Sequence, residues 1–297
     1  MRKITLCVLL LTICSLLQAQ PPRVPLSVEF AGQTVDISTE DRYERMDREL
    51  IAFSYMHSTS LLMLRRSGRY FPIIEPILKA NGIPDDLKYL MVIESNLDPK
   101  ALSSAGAAGL WQFTKTTAKE YGLEIREGVD ERYNIEKETV AACKYLKKAY
   151  AKYGDWMTVA ASYNAGQGGI SKRLEEQRQS SALDLWLVEE TARYMYRLLA
   201  CKMLFEAPSA FGFEVSESDK YPYIEPIRTV EVSSTIENLV DFADKYGVSY
   251  AQLKAANLWL RGTKLDNKDG KTYKITIPGE AERLPAFKTY EAHSINL

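Results

Sequence analysis

A glutamate lies on a helical stripe where burial is expected, and that placement limits what the chain can fold into. Leu87, Leu90, Met91 and Glu94 recur at i, i+3, i+4 and i+7, so one helix face carries three apolar side chains and an acid. This helix can start at Pro84, where a missing N–H costs nothing, with Asp85 and Asp86 suited to its positive end, and it stops before Pro99. Burying a carboxylate disfavours its ionised form and raises its pKa, which keeps a carboxylic acid available as a proton donor near neutral pH. Small residues then run from Ser103 to Gly109, followed at once by Leu110-Trp111-Gln112-Phe113. Such a run lets backbone or ligand approach closely, so a cleft wall is expected there.

The 3.6-residue period dominates the stretch from 41 to 206, which predicts a mainly α fold. Met46, Leu50, Phe53, His57, Leu61 and Leu64 share one face until Arg65-Arg66-Ser67-Gly68 breaks the run, which makes His57 a core or boundary residue. Tyr70 to Lys79 reads as a short helix, kinked or delayed by Pro72 and Pro76 and closed by Asn81-Gly82. Further helices are expected at Thr114–Tyr121, from the cap Asn134 to Tyr153, from the cap Asp155 to Asn164, at Gly169–Gln177 and at Leu187–Phe205. Residues 20–40 read as an extended arm with at most one short strand, and 207–226, rich in Pro, Ser and acids, as a linker. In 227–278 a strand, two helices and a strand follow one another, compact enough for a module of its own, before a tail at 279–297.

With 297 residues, 46% of them hydrophobic, the chain can build one large domain and a small one. A formal net charge of -1 gives no broad basic field, which argues against nucleic acid as a partner. His57 and His293 are the only histidines, too few for a histidine-based metal site, and the sequence implies no cofactor. Residues 1–19 read as a secretory leader ending in Leu17-Gln18-Ala19, so export to the periplasm is expected. A cut before Cys14 would instead leave a lipoprotein held at the outer membrane, against which bulky Ile13 speaks. Cys143 and Cys201 either form one disulfide or remain two reduced core thiols.

Glu94-Ser95, Gly109-Leu110-Trp111-Gln112, Ser162-Tyr163-Asn164-Ala165-Gly166 and Glu190-Thr191-Ala192-Arg193-Tyr194 occur in that order. Together they resemble the soluble-lytic-transglycosylase (SLT) family of peptidoglycan-cleaving enzymes over roughly Tyr70 to Glu206, with Ser162 standing where the family usually has Ala. Residues 227–278 resemble a LysM module, a small fold that binds N-acetylglucosamine-containing glycans, through Lys245-Tyr246-Gly247-Val248-Ser249 and Leu253-Lys254-Ala255-Ala256-Asn257. Ser233-Ser234-Thr235 departs from the Gly-Asp-Thr usual in such modules. The resemblance implies a lysozyme-like helical catalytic domain over 41–206 and a small C-terminal βααβ module.

It also implies peptidoglycan glycan strands as substrate and a single catalytic acid. Glu94 would protonate the leaving O4 of N-acetylglucosamine, then take the proton of the C6 hydroxyl of N-acetylmuramic acid as that oxygen closes onto C1. A 1,6-anhydro end results and no water is consumed. By the same resemblance Ser103 lies near the acetamido group and Gln112 holds substrate beside the acid. Tyr163 would hydrogen-bond near Glu94, Asn164 would brace the loop, and Tyr194 would stand at the far wall within reach of acid and sugar. Pattern alone reads Tyr163 and Tyr194 as core aromatics, Gln112 as a surface amide, and Trp111 as either a sugar platform or a buried anchor. Asp98 reads as a turn residue, and Asp130 and Glu131 as solvated or paired with Arg132. A second carboxylate facing Glu94 across room for a water would favour a lysozyme-like muramidase. An inactive cleft would leave a peptidoglycan-binding protein.

Overall fold

In the computed structural model, which describes residues 20–279, the chain enters its core at once. Strand β1 (Ser27–Phe30) pairs antiparallel with β2 (Gln33–Asp36) across a turn at Ala31 and Gly32, both at positive φ. The expected arm with at most one strand is therefore a hairpin. Val28, Phe30, Val35 and Ile37 alternate onto one face and are all buried, and the Ala31 N–H donates to Asp86 Oδ2 at 2.7 Å. The leader assigned to 1–19 and the tail beyond 279 lie outside the described residues.

Helix α1 (Glu40–Tyr55) gives way to α2 (His57–Ala80) at Met56, so the break falls well before the expected Arg65–Gly68. That change of direction resets the helical phase. His57 consequently leaves the apolar stripe and is exposed at the start of α2, its ring 4.8 Å from that of Phe213. Gly68 does not interrupt α2, which runs on through Pro72 and Pro76. A Cβ on Gly68 would sit 2.7 Å from Lys220 Cβ and 2.8 Å from the Tyr221 carbonyl, so glycine there admits a crossing segment.

Asn81 and Gly82 close α2, and a 3₁₀ turn at Asp85–Leu87 leads into α3 (Lys88–Ser95). Helix α4 (Lys115–Glu120), the hairpin β3 (Ile125–Arg126) and β4 (Val129–Asp130), and α5 (Ile135–Tyr153) follow. Asn134 caps α5 by accepting the Lys137 N–H, and Gly154, at φ 66°, ends it. Asp155 caps α6 (Trp156–Ala165), after which come α7 (Gln167–Gln177) and α8 (Glu189–Glu206). Helix α8 packs against α1, α3 and α6. Its Arg193 and Arg197 reach the buried Glu49 of α1 at 2.6 and 3.1 Å.

The fold is mainly α, as the periodicity predicts. Segment 207–226 is not a free spacer: Phe211 and Phe213 are buried in the main core, and the Tyr221 N–H donates to the Arg65 carbonyl at 2.7 Å. Strand β5 (Pro226–Val232), helices α9 (Leu239–Lys245) and α10 (Tyr250–Ala256), and strand β6 (Tyr273–Pro278) form the small C-terminal unit. Val230 of β5 faces Ile275 of antiparallel β6, above a second apolar core that includes Leu239, Leu253 and Ile277. Cys143 and Cys201 are both buried and free, which selects the reduced alternative.

Candidate active site

Helix α3 is enclosed nearly all round, with Tyr89, Leu90, Met91 and Val92 buried, and Glu94 emerges half-buried from its last turn. The helix stops because Asn96 and Leu97 both take left-handed conformations, φ 52° and 55°. Asn tolerates this; Leu rarely does, and complete burial of its side chain accompanies Leu97 there. The acid therefore stands on a short, tightly packed helix with a fixed end.

Tyr194 of α8 donates its hydroxyl to Glu94 Oε1 at 2.6 Å. Burial pushes the Glu94 carboxyl from its ordinary 4.5 up to about 7; the Tyr194 bond holds it down, the charge on Glu190 adds to the rise, and Arg197 opposes it. Near neutral pH the acid is thus divided between its two forms, the condition for giving up one proton and accepting another. Tyr163, at the end of α6, donates to the Trp111 carbonyl at 2.7 Å and not to Glu94. Burial and then the charge of Glu94 push the Tyr163 hydroxyl far above its usual range, and Tyr194 is shifted the same way, so both stay hydrogen-bond donors.

The small-residue stretch folds into a tight loop, in which the Ser103 N–H donates to the Ala107 carbonyl at 2.9 Å and the Gly106 N–H to the Ser103 carbonyl at 2.9 Å. Ser103 is exposed, and its Oγ accepts the Ala107 N–H at 3.0 Å. Gly109, at φ 83°, lies against the Arg132 carbonyl and the Glu138 carboxylate, which occupy the place a Cβ would take. Gln112 adopts φ 51° and donates through Nε2 to the carbonyls of Gly109 at 2.8 Å and Ala101 at 3.3 Å. Trp111 is fully buried, with its indole N–H on Thr139 Oγ1 at 3.0 Å, so it is the anchor and not a sugar platform. Asn164 Oδ1 accepts the Thr191 hydroxyl at 2.8 Å, which ties the end of α6 to α8. Asn164 and Thr191, with Arg173 and Glu190, also line a cavity of about 310 Å³.

Some residues in this region escaped the sequence reading. Glu138 of α5 is fully buried and accepts the N–H groups of Leu110 at 3.2 Å and Trp111 at 3.1 Å. Burial raises its carboxyl well above the usual range, against the pull of those two amides. The signal is weaker than for Glu94: Glu138 falls at i+3 from Ile135, beside the α5 stripe and not on it. Glu190, which sequence marks only as a member of the 190–194 motif, carries a charge that raises the Glu94 pKa. Of the acids nearer in sequence, Asp98 caps the Lys100 N–H as a turn residue and Asp130 is paired with Arg132. Glu131 is buried rather than solvated, bound to Lys137 and to the Glu124 N–H.

Residues 71–185 match the family model described as Transglycosylase SLT domain. Over those residues the chain is similar to the transglycosylase SLT domain. Glu94, Ser103, Gln112, Tyr163 and Asn164 lie inside the SLT match, and Tyr194 lies beyond its end. Residues 228–281 match the Soluble lytic transglycosylase C-terminal LysM-like domain. Membrane-bound lytic murein transglycosylase D of Escherichia coli (strain K12) is 28% identical over 246 residues, covering 81% of this chain and 52% of that protein. The chain spans about half the length of that relative. Peptidoglycan transglycosylase gp16 of Escherichia phage T7 is 35% identical over 134 residues, 44% of this chain and 10% of that one. The crystal structure of the 70 kDa soluble lytic transglycosylase SLT70 from Escherichia coli aligns at 18% identity and a TM-score of 0.43, over 55% of this chain and 31% of that chain.

Proposed function

We propose that this chain is a peptidoglycan lytic transglycosylase that cleaves the bond between N-acetylmuramic acid and N-acetylglucosamine without water. The observation that carries this reading is Glu94, a protonatable carboxyl at the edge of the SLT domain's core, gripped by the Tyr194 hydroxyl at 2.6 Å. In its neutral form Glu94 gives its proton to the leaving O4. In its ionised form, favoured by the Tyr194 bond, it takes the C6 hydroxyl proton as that oxygen bonds to C1. Gln112 and Ser103 line the glycan on the loop side, Tyr163 and Asn164 on the α6 side, and Tyr194 on the α8 side.

The catalytic domain occupies 41–206, preceded by the 20–40 segment and followed by the 207–226 connection and the 227–278 LysM-like module. Export behind the 1–19 leader would put the enzyme beside its substrate in the periplasm. Glu94→Gln tests the reading: release of 1,6-anhydromuropeptides from purified sacculi is expected to fall by at least ~100-fold. Product release equal to the unaltered protein would remove Glu94 from its role.

Glu190 supports a second reading. It is an exposed carboxylate one helical turn before Tyr194 on α8, lining the cavity with Asn164 and Thr191, and a water held between it and Glu94 would make the reaction hydrolytic. Mass spectrometry separates the cases, because a reducing muramic acid end is heavier than the anhydro end by one water. A reducing end that disappears in Glu190→Gln would favour hydrolysis.

A further inference from the structure

We infer that the LysM-like module is a positioning element of the cleft: docked on the β3–β4 hairpin, it sets Arg132, and through Arg132 the loop that carries Gln112. The docking is built from backbone as well as side chains. The Asp130 N–H donates to the Trp259 carbonyl at 2.9 Å, the Arg261 N–H donates to the Gly128 carbonyl at 2.8 Å, and Val129 bridges to Leu260. Val129 is fully buried, and it belongs to the module's apolar core rather than to that of the SLT domain. Arg126 adds bonds to the Asp266 carbonyl at 2.7 Å and to the Tyr273 hydroxyl at 3.0 Å. A module that acted only as a tethered anchor would raise the local concentration of substrate and would need none of these contacts.

The same hairpin holds the loop that carries Gln112. Asp130 grips Arg132 in a two-point pair, Nε to Oδ1 at 3.0 Å and Nη2 to Oδ2 at 2.7 Å, and both side chains are largely enclosed. The remaining Nη1 of Arg132 donates to the Gly106 carbonyl at 2.7 Å and the Phe113 carbonyl at 3.1 Å, within and just past the small-residue loop. Gln112, next to Phe113, keeps its left-handed backbone inside that brace. Displacing the module frees the Asp130 and Val129 backbone, and the fork that fixes the loop loses its foundation.

Val129→Asp in the full chain puts a charge into the docking face without touching the SLT core. Hydrogen exchange is then followed at the Asp130 and Arg261 amides, which report undocking, and at the Gly106 and Gly109 amides, which report the loop. Should the docking amides stay protected, Arg126→Ala is added until they open. Undocking is expected to speed loop exchange on the order of tenfold or more, and to lower turnover at saturating peptidoglycan by a similar factor while sacculus affinity changes less than twofold. Arg132→Lys, which keeps the charge but not the fork, is expected to show the same split with the module still docked. Loop exchange unchanged on undocking overturns the inference, as does the opposite split, in which affinity falls and saturated turnover is retained. The activity arm rests on the transglycosylase reading. The exchange arm does not, so an inactive unaltered protein would sink that reading and leave the coupling measured.

Discussion

Glu94 holds its proton more tightly in the folded chain than in the unfolded one, and both its chemistry and its cost follow from that. With a folded pKa of about 7 against 4.5, the native state binds the extra proton between those values, so this group's contribution to stability is full below about pH 4.5 and is lost as pH rises through 7. Glu94→Gln keeps an acceptor for Tyr194 and cannot ionise. It is expected to stabilise the protein by ~1–3 kcal/mol at pH 8 and by little near pH 4.5, read by thermal unfolding at both pH values. An equal gain at both would mean that buried charge is not the source. Tyr194→Phe removes the bond that favours the ionised form, so the Glu94 pKa should climb further. The alkaline limb of the rate profile should move to higher pH as the rate falls, and an unmoved limb would count against the pairing.

Helix ends, more than helix middles, decide where the side chains of the candidate site stand. Helix α6 presents Tyr163 and Asn164 at its C-terminal end, and its other end is fixed by Asp155, which accepts the N–H groups of Met157 at 3.2 Å and Thr158 at 2.9 Å. The same carboxylate takes the Thr158 hydroxyl and, at 3.1 Å, that of Ser181, so one cap joins α6 to the segment leading to α8. Asp155→Ala is expected to cost ~1–2 kcal/mol, with most of the loss restored by Asn, as measured by denaturant unfolding. Loss of the Tyr163 and Asn164 geometry should lower activity in step. These caps were legible: Asn134, Asp155, Gly154 and Gly82 all stand where the sequence puts helix ends.

At the scale of the whole molecule, parts that composition separates are packed together. Segment 207–226 has the makeup of a spacer, yet Phe211 and Phe213 lock it into the SLT core and Tyr221 hydrogen-bonds to α2. Limited proteolysis of the folded chain is therefore expected to spare 208–222, whereas Phe213→Asp should open that stretch to cleavage; rapid cutting of the unaltered protein there would contradict the packing. The second apolar core likewise crosses the boundary between the two parts, taking in Ala108, Val129 and Tyr133.

What the sequence determined by itself is local in origin: helix stripes, caps, the βααβ order of the C-terminal unit and the acid on the Leu87 stripe all follow from spacings of a few residues. Tertiary structure decided what depends on partners far along the chain. Glu138 beneath Leu110 and Trp111, Tyr194 on Glu94, and the Asp86 carboxylate that seats the N-terminal hairpin through the Ala31 N–H each need a contact that no window of neighbouring residues contains. Desolvation, which raises the Glu94 pKa, is likewise the sum of everything folded around one carboxyl group, and a chain carries that information only once it is closed on itself.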